Sequence, residues 1–280
     1  MTGLAKEVGL IENLLPIRQV EKPWGCDVLP QPFMAPDGAR IGEIWFEPPS
    51  QVPELLVKYI FASDKLSVQV HPSDAQTLAQ GIGRQGKEEC WLVIAAEEDA
   101  RLGIGFREPV DARTMRAAAL DGRIEQMLVW HKVRPGDFFY IPANTVHAIG
   151  AGVSVIEIQQ NSDITYRLFD YGRPRPLHLD EGLAVSLGEV YDLARWHKRL
   201  PESGTARLVD GPYFRIDRVN GHADCTLSER YGAGPLLVVP MHGLVKVCGQ
   251  VVPAGGCAMA VGLENVHWES DALWLAAKAL

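Results

Sequence analysis

The sequence lacks three features that would place it in well-defined classes of protein. It has no basic excess, since 27 Lys and Arg residues stand against 35 Asp and Glu residues, a formal net charge of −8 at pH 7. Nucleic acid is therefore not expected as a partner, because phosphate binding needs a basic surface. Its longest apolar runs, such as Leu236–Met241, fall far short of the roughly 20 residues of a membrane-spanning helix. Its five cysteines never form a C-x-x-C pair, which argues against a disulfide framework and a thiolate zinc site.

The N-terminal residues resemble no targeting segment. Residues 1–15 include Lys6, Glu7 and Glu12 and have no basic start that leads into an apolar stretch of signal-peptide length. We therefore expect a cytoplasmic protein without a membrane partner. A hydrophobic content of 47% with 22% charged residues is typical of a soluble globular chain.

Short apolar or alternating runs predict an all-β fold. Up to residue 163 the runs are Ile41–Phe46, Leu55–Ala62, Leu66–His71, Cys90–Ala95, Phe138–Ile141 and Val153–Gln159. Turn residues such as Pro135 and Gly136 separate them, as in an antiparallel sandwich or barrel. Strand-like runs resume after Gly204 and predict a smaller second β unit.

Two segments are predicted to be helical. The first, Asp111–Leu128, has apolar residues three and four apart and a break at Gly122. The second, Asp180–Leu200, places on one face Leu183, Leu187, Val190, Leu193 and Ala194. This spacing predicts a packed amphipathic helix that bridges two halves. We expect domains at 1–200 and 201–280.

Two strands carry polar residues that can act together. In the run Leu66–His71, the alternation of side chains points Gln69 and His71 to one face. In the run that follows Gly86, Lys87 and Glu89 share a face. Either pair alone is as well explained by a solvated strand, since charged residues are common on exposed edges.

The strongest local signal ends at His147. Residues 136–147 read as a turn, an apolar strand, a proline turn and then histidine. This matches the second metal-binding motif of the cupin barrels, G-x5-P-x-G-x2-H, with Asn144 in the place of a glycine. Asn tolerates a positive φ better than other non-glycine residues, so the exchange does little damage.

The motifs together resemble one family of cupins. Gln69-x-His71, with Glu89 eighteen residues after His71, combines with residues 21–25 (EKPWG) and 162–171 (SDITYRLFDY). This set closely resembles the type I mannose-6-phosphate isomerases, particularly the short bacterial form, over roughly residues 20–183. The resemblance implies two cupin-type (jelly-roll) β-barrels with a few bridging helices. The N-terminal barrel would bind metal, and the C-terminal one would be smaller and degenerate.

The resemblance also implies the site and the reaction. One zinc ion per chain would be held by Gln69, His71, Glu89 and His147. The donor set suits Zn²⁺ and leaves an open position for water or substrate. The chain would interconvert mannose 6-phosphate and fructose 6-phosphate through a cis-enediol.

Further residues are expected around the metal. Lys87 and Arg167 match the lysine and arginine of the family's active site, and we expect Arg167 to bind the phosphate. Lys22 or Lys65 would assist, and Trp24 would line the sugar pocket. A nearby dication would lower the pKa of Lys87 into the range of a base or proton shuttle.

Other readings stay open. A related cupin isomerase could use a free sugar or another sugar phosphate, and a non-catalytic cupin could only bind sugar. Residues 81–86 satisfy the dinucleotide pattern G-x-G-x-x-G, but they lead into a strand and not a helix. The remaining histidines, His178 among them, are expected on surfaces or at strand ends. The sequence does not decide between a monomer and a homodimer.

Overall fold

Antiparallel strands make up most of the chain. The computed structural model describes residues 13–280, and the predicted absence of a signal segment concerns residues that lie mostly outside this range. Up to residue 199 the strands are β1 (Ile17–Cys26), β2 (Ile41–Phe46), β3 (Leu55–Ala62), β4 (Val68–Val70), β5 (Glu89–Ala96), β6 (Arg101–Phe106), β7 (Leu128–Lys132), β8 (Asp137–Ile141), β9 (His147–Ile149), β10 (Val153–Gln160), β11 (Tyr166–Phe169) and β12 (His197–Arg199). The helices of this part are α1 (Asp74–Gln80), α2 (Ala112–Asp121), α3 (Ile124–Met127), α4 (Leu179–Val185) and α5 (Leu193–Trp196).

The second part of the chain, from residue 204 onward, contains eight further strands. These are β13 (Gly204–Asp210), β14 (Phe214–Asn220), β15 (Pro235–His242), β16 (Val245–Val247), β17 (Gln250–Val252), β18 (Ala258–Val261), β19 (Val266–Trp268) and β20 (Leu273–Ala279). One α-helix, α6 (Leu227–Tyr231), and one 3₁₀ turn, Leu263–Asn265, connect them.

Four sheets form two sandwiches. The first has a seven-stranded sheet in the order β1-β2-β3-β10-β5-β8-β12 and a five-stranded sheet in the order β11-β4-β9-β6-β7. The second has a five-stranded sheet, β13-β14-β20-β15-β18, and a three-stranded sheet, β17-β16-β19. The prediction of an all-β fold with two cupin-type units, the C-terminal one smaller, is confirmed.

Hydrophobic clusters hold the sheets in layers. Leu102 and Ile104 of the five-stranded sheet pack with Trp91 and Val155 of the seven-stranded sheet inside the first sandwich. The opposite face of the seven-stranded sheet packs against the second sandwich, where Phe61 and residues such as Phe214 belong to one cluster. The seven-stranded sheet is therefore covered on both faces, and the second sandwich is its packing partner.

The predicted helix over Asp180–Leu200 is wrong in its extent. Helix α4 ends at Val185, and the chain then runs irregularly to the single turn of α5 and the strand β12. Leu187, Val190 and Leu193 are exposed, so their helical spacing does not mark a buried face. Backbone pairing with β8 takes the last residues of the segment into the sheet.

The other predictions of the sequence fare differently. The break at Gly122 is confirmed, since the residue adopts a left-handed conformation with φ 83° at the end of α2. The division into domains 1–200 and 201–280 stays a prediction. No helix within residues 13–280 is long and apolar enough to cross a membrane.

Candidate metal centre and its cavity

Strand pairing brings the predicted ligands together from distant parts of the sequence. In the five-stranded sheet, Arg167 of β11 lies opposite Gln69 of β4, and Gln69 lies opposite His147 of β9. His71 follows β4, while Glu89 begins β5 of the facing sheet. The site therefore lies inside the first sandwich, with ligands from both sheets.

Three of these side chains form a compact buried cluster. Single ligand atoms of His71, Glu89 and His147 all lie within 4.8 Å of one another. His147 Nε2 is 3.2 Å from Glu89 Oε1, and His71 Nε2 is 3.5 Å from Glu89 Oε2. Glu89 Oε1 is buried and accepts no hydrogen bond. Among the described residues, this is the only group of three or more His, Cys, Asp or Glu side chains with metal-binding spacing.

Backbone carbonyls fix both imidazole rings. His71 Nδ1 lies 2.9 Å from the carbonyl oxygen of Ile164, and His147 Nδ1 lies 2.9 Å from that of Thr145. A carbonyl only accepts, so each Nδ1 carries the proton and each Nε2 presents a lone pair to Glu89. This is the usual arrangement of metal-binding histidines.

Burial keeps both imidazole rings in the form that binds metal. Burial, with the positive charge of Lys87, lowers the pKa of His71 well below its usual range and that of His147 to about 4. Both rings are therefore neutral near pH 7, the form that binds metal. Burial raises the pKa of Glu89, and the ammonium of Lys87 opposes that rise. Two neutral imidazoles and one carboxylate fit a divalent ion such as Zn²⁺.

Lys87 lies against the cluster. Its Nζ donates to His71 Nε2 at 3.1 Å and forms a short ion pair with Glu89. Burial lowers its pKa, but Glu157 and Glu89 outweigh that effect and raise it above the ordinary value. The lowered pKa predicted for Lys87 concerns a site that holds a dication and stays a prediction, and the sequence analysis did not include the second carboxylate, Glu157.

Gln69 lies beside the cluster. Its Nε2 is 3.3 Å from His147 Nε2, and its Oε1 accepts from Ser67 at 3.2 Å. The amide of Gln69 thus lies beside His147, and its part in metal binding remains a prediction.

A cavity of about 410 Å³ opens beside the cluster. That volume is within the usual range for a small-molecule site. Gln69 and Lys87 line it, together with most of the predicted substrate-binding residues. Its lining residues are Lys22, Trp24, Glu43, Trp45, Lys58, Ile60, Leu66, Ser67, Gln69, Lys87, Ile149, Glu157, Asp163, Thr165, Arg167, Arg175 and His178.

Arg167 lines this cavity, and one nitrogen of its guanidinium already forms a hydrogen bond within the protein. Its Nε donates to the carbonyl of Pro176 at 3.1 Å. Burial and the neighbouring Arg175 lower its pKa. Arg175 is held by two 2.6 Å hydrogen bonds to the buried carboxylate of Asp170. Arg167 forms no ion pair with any carboxylate among residues 13–280, so its terminal nitrogens can take an anion.

The remaining predicted substrate-binding residues divide into two groups. Lys22 and Trp24 line the cavity, and Lys22 Nζ is 3.2 Å from Glu43. Lys65 does not line the cavity. Its Nζ is 2.5 Å from Glu125 and lies over the rings of Trp130 and Tyr171.

The sequence analysis missed several cavity residues. Lys58 and Glu157, opposite each other on β3 and β10, form a buried ion pair of 3.0 Å, and Trp91 donates to Glu157 at 2.9 Å. A charge inside an otherwise apolar strand was the available signal, because charges are seldom buried without a partner. His178, expected on the surface, accepts from the backbone N–H of Arg167 at 3.2 Å and lines the cavity.

Curated proteins with similar sequences carry one name. The chain is 36% identical over 186 residues to "Mannose-6-phosphate isomerase ManA" of Bacillus subtilis, covering 63% of this chain and 58% of the relative. It is 38% identical over 181 residues to the mannose-6-phosphate isomerase of Streptococcus mutans, covering 62% and 57%. The matched segment thus spans less than two thirds of the length of each relative. No model of a known protein family matches the chain.

Solved structures with a similar fold carry the same name. The mannose 6-phosphate isomerase of Bacillus subtilis superposes with a TM-score of 0.79 at 24% identity, covering 95% of this chain and 99% of that one. A variant of phosphomannose isomerase from Salmonella typhimurium superposes with a TM-score of 0.72 at 14% identity, covering 95% and 99%. The resemblance indicated by the motifs is therefore confirmed, and in sequence and in fold this chain is similar to the mannose-6-phosphate isomerases.

Proposed function

We propose that the chain is a zinc-dependent aldose–ketose isomerase that interconverts mannose 6-phosphate and fructose 6-phosphate. The observation that carries the proposal is the buried cluster of His71, Glu89 and His147 beside a cavity that Lys87 and Arg167 line. A buried set of candidate metal ligands lies next to a buried lysine, and an arginine without a carboxylate partner among residues 13–280 lines the same cavity. This arrangement suits a substrate with a carbonyl at one end and a phosphate at the other. The named sequence relatives support the same substrate.

Different residues of the chain would bind the metal, transfer the proton and bind the phosphate. His71, Glu89, His147 and Gln69 would hold the ion, which when bound would polarise the carbonyl and adjacent hydroxyl of the open-chain sugar. Lys87 carries a proton to and from the substrate, since its buried Nζ borders both the cluster and the cavity. Arg167 takes the phosphate in a bidentate contact. Trp24 and Ile60 give the cavity an apolar wall, which would exclude water from the reacting carbons.

The electrostatics of the cavity favour an anionic substrate. Lys22, Lys58 and Lys87 each have a carboxylate partner, Glu43, Glu157 and Glu89 respectively. Arg167 has none among the described residues, so its terminal guanidinium nitrogens are available to bind the phosphate. A free sugar would leave that guanidinium without a partner.

A coupled assay tests the proposal. The purified chain should be loaded with Zn²⁺ and offered mannose 6-phosphate, fructose 6-phosphate, glucose 6-phosphate and free mannose. We expect turnover of the first two, loss of turnover after chelation and recovery when Zn²⁺ returns. Turnover of free mannose with none of mannose 6-phosphate would favour the alternative isomerase. Binding of sugar without turnover would favour the non-catalytic cupin.

A further inference from the structure

The segment between His71 and the body of α1 contacts all parts of the chain that carry the ligand cluster. We define residues 72–76 as the helix-start segment. Ser73 caps α1, and Gln76 completes a capping box with it. Capping boxes stabilise a helix start by satisfying its free N–H groups. Here the side chain of Gln76 also bonds to a residue outside the helix, which a cap alone does not require.

The backbone N–H groups of the three residues before Glu89 are connected to the helix-start segment, two of them directly and the third through Gln160. The N–H of Gly86 donates to Asp74 Oδ1 at 2.7 Å, and the N–H of Lys87 donates to the carbonyl of Pro72 at 3.0 Å. The N–H of Glu88 donates to Gln160 Oε1 at 2.9 Å, and Gln160 Nε2 donates back to Asp74 Oδ1 at 3.0 Å. Asp74 and the carbonyl of Pro72 thus link the residues that precede Glu89 to the segment that follows His71.

The turn before His147 is bonded to the same segment. Asn144, with φ 72°, donates its Nδ2 to Gln76 Oε1 at 2.6 Å and to the carbonyl of His71 at 3.2 Å. Its backbone N–H donates to that carbonyl at 2.8 Å. Gln76 Oε1 also accepts from Ser73, so one amide oxygen joins the helix cap to the turn that precedes His147.

The backbone at Gly86 packs closely against the backbone of Pro72 and Asp74. A Cβ atom at Gly86 would lie 2.4 Å from the carbonyl oxygen of Pro72 and 2.6 Å from the amide nitrogen of Asp74. The last glycine of the G-x-G-x-x-G pattern therefore serves to let two backbone segments approach each other.

We propose that Asp74 and Gln76 are positioning residues that fix the spacing of His71, Glu89 and His147, and thereby set the affinity of the site for its metal. The inference rests on the proposed function only in taking this cluster as a metal centre. Neither side chain touches the cluster. Residues that orient metal ligands through hydrogen bonds change metal affinity when they are removed.

Gln76→Ala tests the proposal, and Gln80→Ala is its matched control. Both residues are glutamines of α1, and the exposed Gln80 makes no side-chain hydrogen bond within residues 13–280. We expect Gln76→Ala to weaken Zn²⁺ binding roughly tenfold, as measured by competition with a chromophoric chelator. Gln80→Ala should bind as the unchanged chain does. Thermal unfolding of the metal-free proteins should give a lower midpoint for Gln76→Ala, because that change also removes the capping box. Both variants should be fully folded at the temperature of the titration.

Conservative variants complete the test. Gln76→Glu keeps an acceptor oxygen and should restore affinity, and Asp74→Asn should retain more of it than Asp74→Ala. Equal affinity for Gln76→Ala and Gln80→Ala would overturn the proposal, as would a loss in Gln76→Ala that Gln76→Glu does not restore. A chain that binds no metal would overturn it as well. If the chain binds Zn²⁺ but has no isomerase activity, the proposed function fails while this inference stands.

Discussion

At the scale of single residues, the sequence predicted the ligand set better than the charges around it. His71, Glu89 and His147 belong to the motifs that carry the family resemblance, and the structure brings them together. Lys58 and Glu157 were not predicted, because each is a single charged residue in an apolar strand. Its role becomes clear only when its partner on the neighbouring strand is known. Pairing across strands is a tertiary property, and a sequence without a register does not contain it.

Lys87→Met tests the proton-carrying role. Methionine keeps the length of the side chain and removes the ammonium, so kcat should fall by roughly 10²–10⁴-fold, the usual contribution of a positioned acid or base. Zn²⁺ content, measured by mass spectrometry of the metal, should stay the same. Lys132→Met is the control, since Lys132 is exposed and lies 3.7 Å from Asp99, outside the cavity lining. Ordinary turnover in Lys87→Met would show that the role is wrong.

Arg167→Gln tests the phosphate contact. Losing a charge-assisted hydrogen-bond donor costs about 1.5–3 kcal/mol, which should appear mainly as a raised KM for mannose 6-phosphate. Steady-state kinetics should show a smaller change in kcat. The exposed Arg113, on α2 and away from the cavity, supplies the control Arg113→Gln. An unchanged KM in Arg167→Gln would assign the phosphate to another cation.

At the scale of elements, several strands with strong apolar patterns were predicted closely, while others, from the ten-residue β1 to the three-residue β12, were missed. β2 and β3 have the predicted bounds, whereas β12 and β13 were not predicted. β12 has the sequence His-Lys-Arg and becomes a strand only by pairing with β8. The predicted helix over residues 180–200 failed for a related reason, because helical spacing alone does not say whether a partner surface exists for the apolar face.

Gly86→Ala tests the close approach at the helix-start segment. The added methyl would meet backbone atoms, which cannot rotate away, so we expect the free energy of unfolding to fall by about 1–3 kcal/mol, as for other overpacked sites. Denaturant unfolding of the metal-free protein measures this. In Gly83→Ala the Cβ would meet side-chain methyls at 3.1 and 3.3 Å, and the loss should be smaller. The opposite order would contradict the packing described for Gly86.

At the scale of the whole molecule, the second sandwich covers the outer face of the sheet that carries Glu89. Phe214, Ile216 and Leu237 share a hydrophobic cluster with Tyr59 and Phe138 of the first sandwich. The sequence predicted two β units, of which the C-terminal one lacks metal ligands. It did not predict the extent of this shared core, because that depends on which strand faces meet. Alternation alone does not identify the partner of a buried face.

Phe214→Ala should destabilise the whole chain. The side chain is 1% exposed within the shared core, and truncating a buried phenylalanine costs about 3–5 kcal/mol. Unfolding should be followed by tryptophan fluorescence, since Trp24 and Trp91 lie in the first sandwich and Trp274 in the second. Val251→Ala, at a half-exposed position of β17, should change stability little. Loss of the second sandwich's signal alone would show that the two units unfold independently.

The most direct test of the central claim is a calorimetric titration of the chelator-treated chain with Zn²⁺, beside the same titration of the double variant His71→Ala with His147→Ala. We predict binding of one ion per chain in the unchanged protein and a large loss of affinity in the double variant. A chain that takes up no Zn²⁺, or a double variant that binds it as tightly as the unchanged protein, would contradict the assignment of the metal to this cluster.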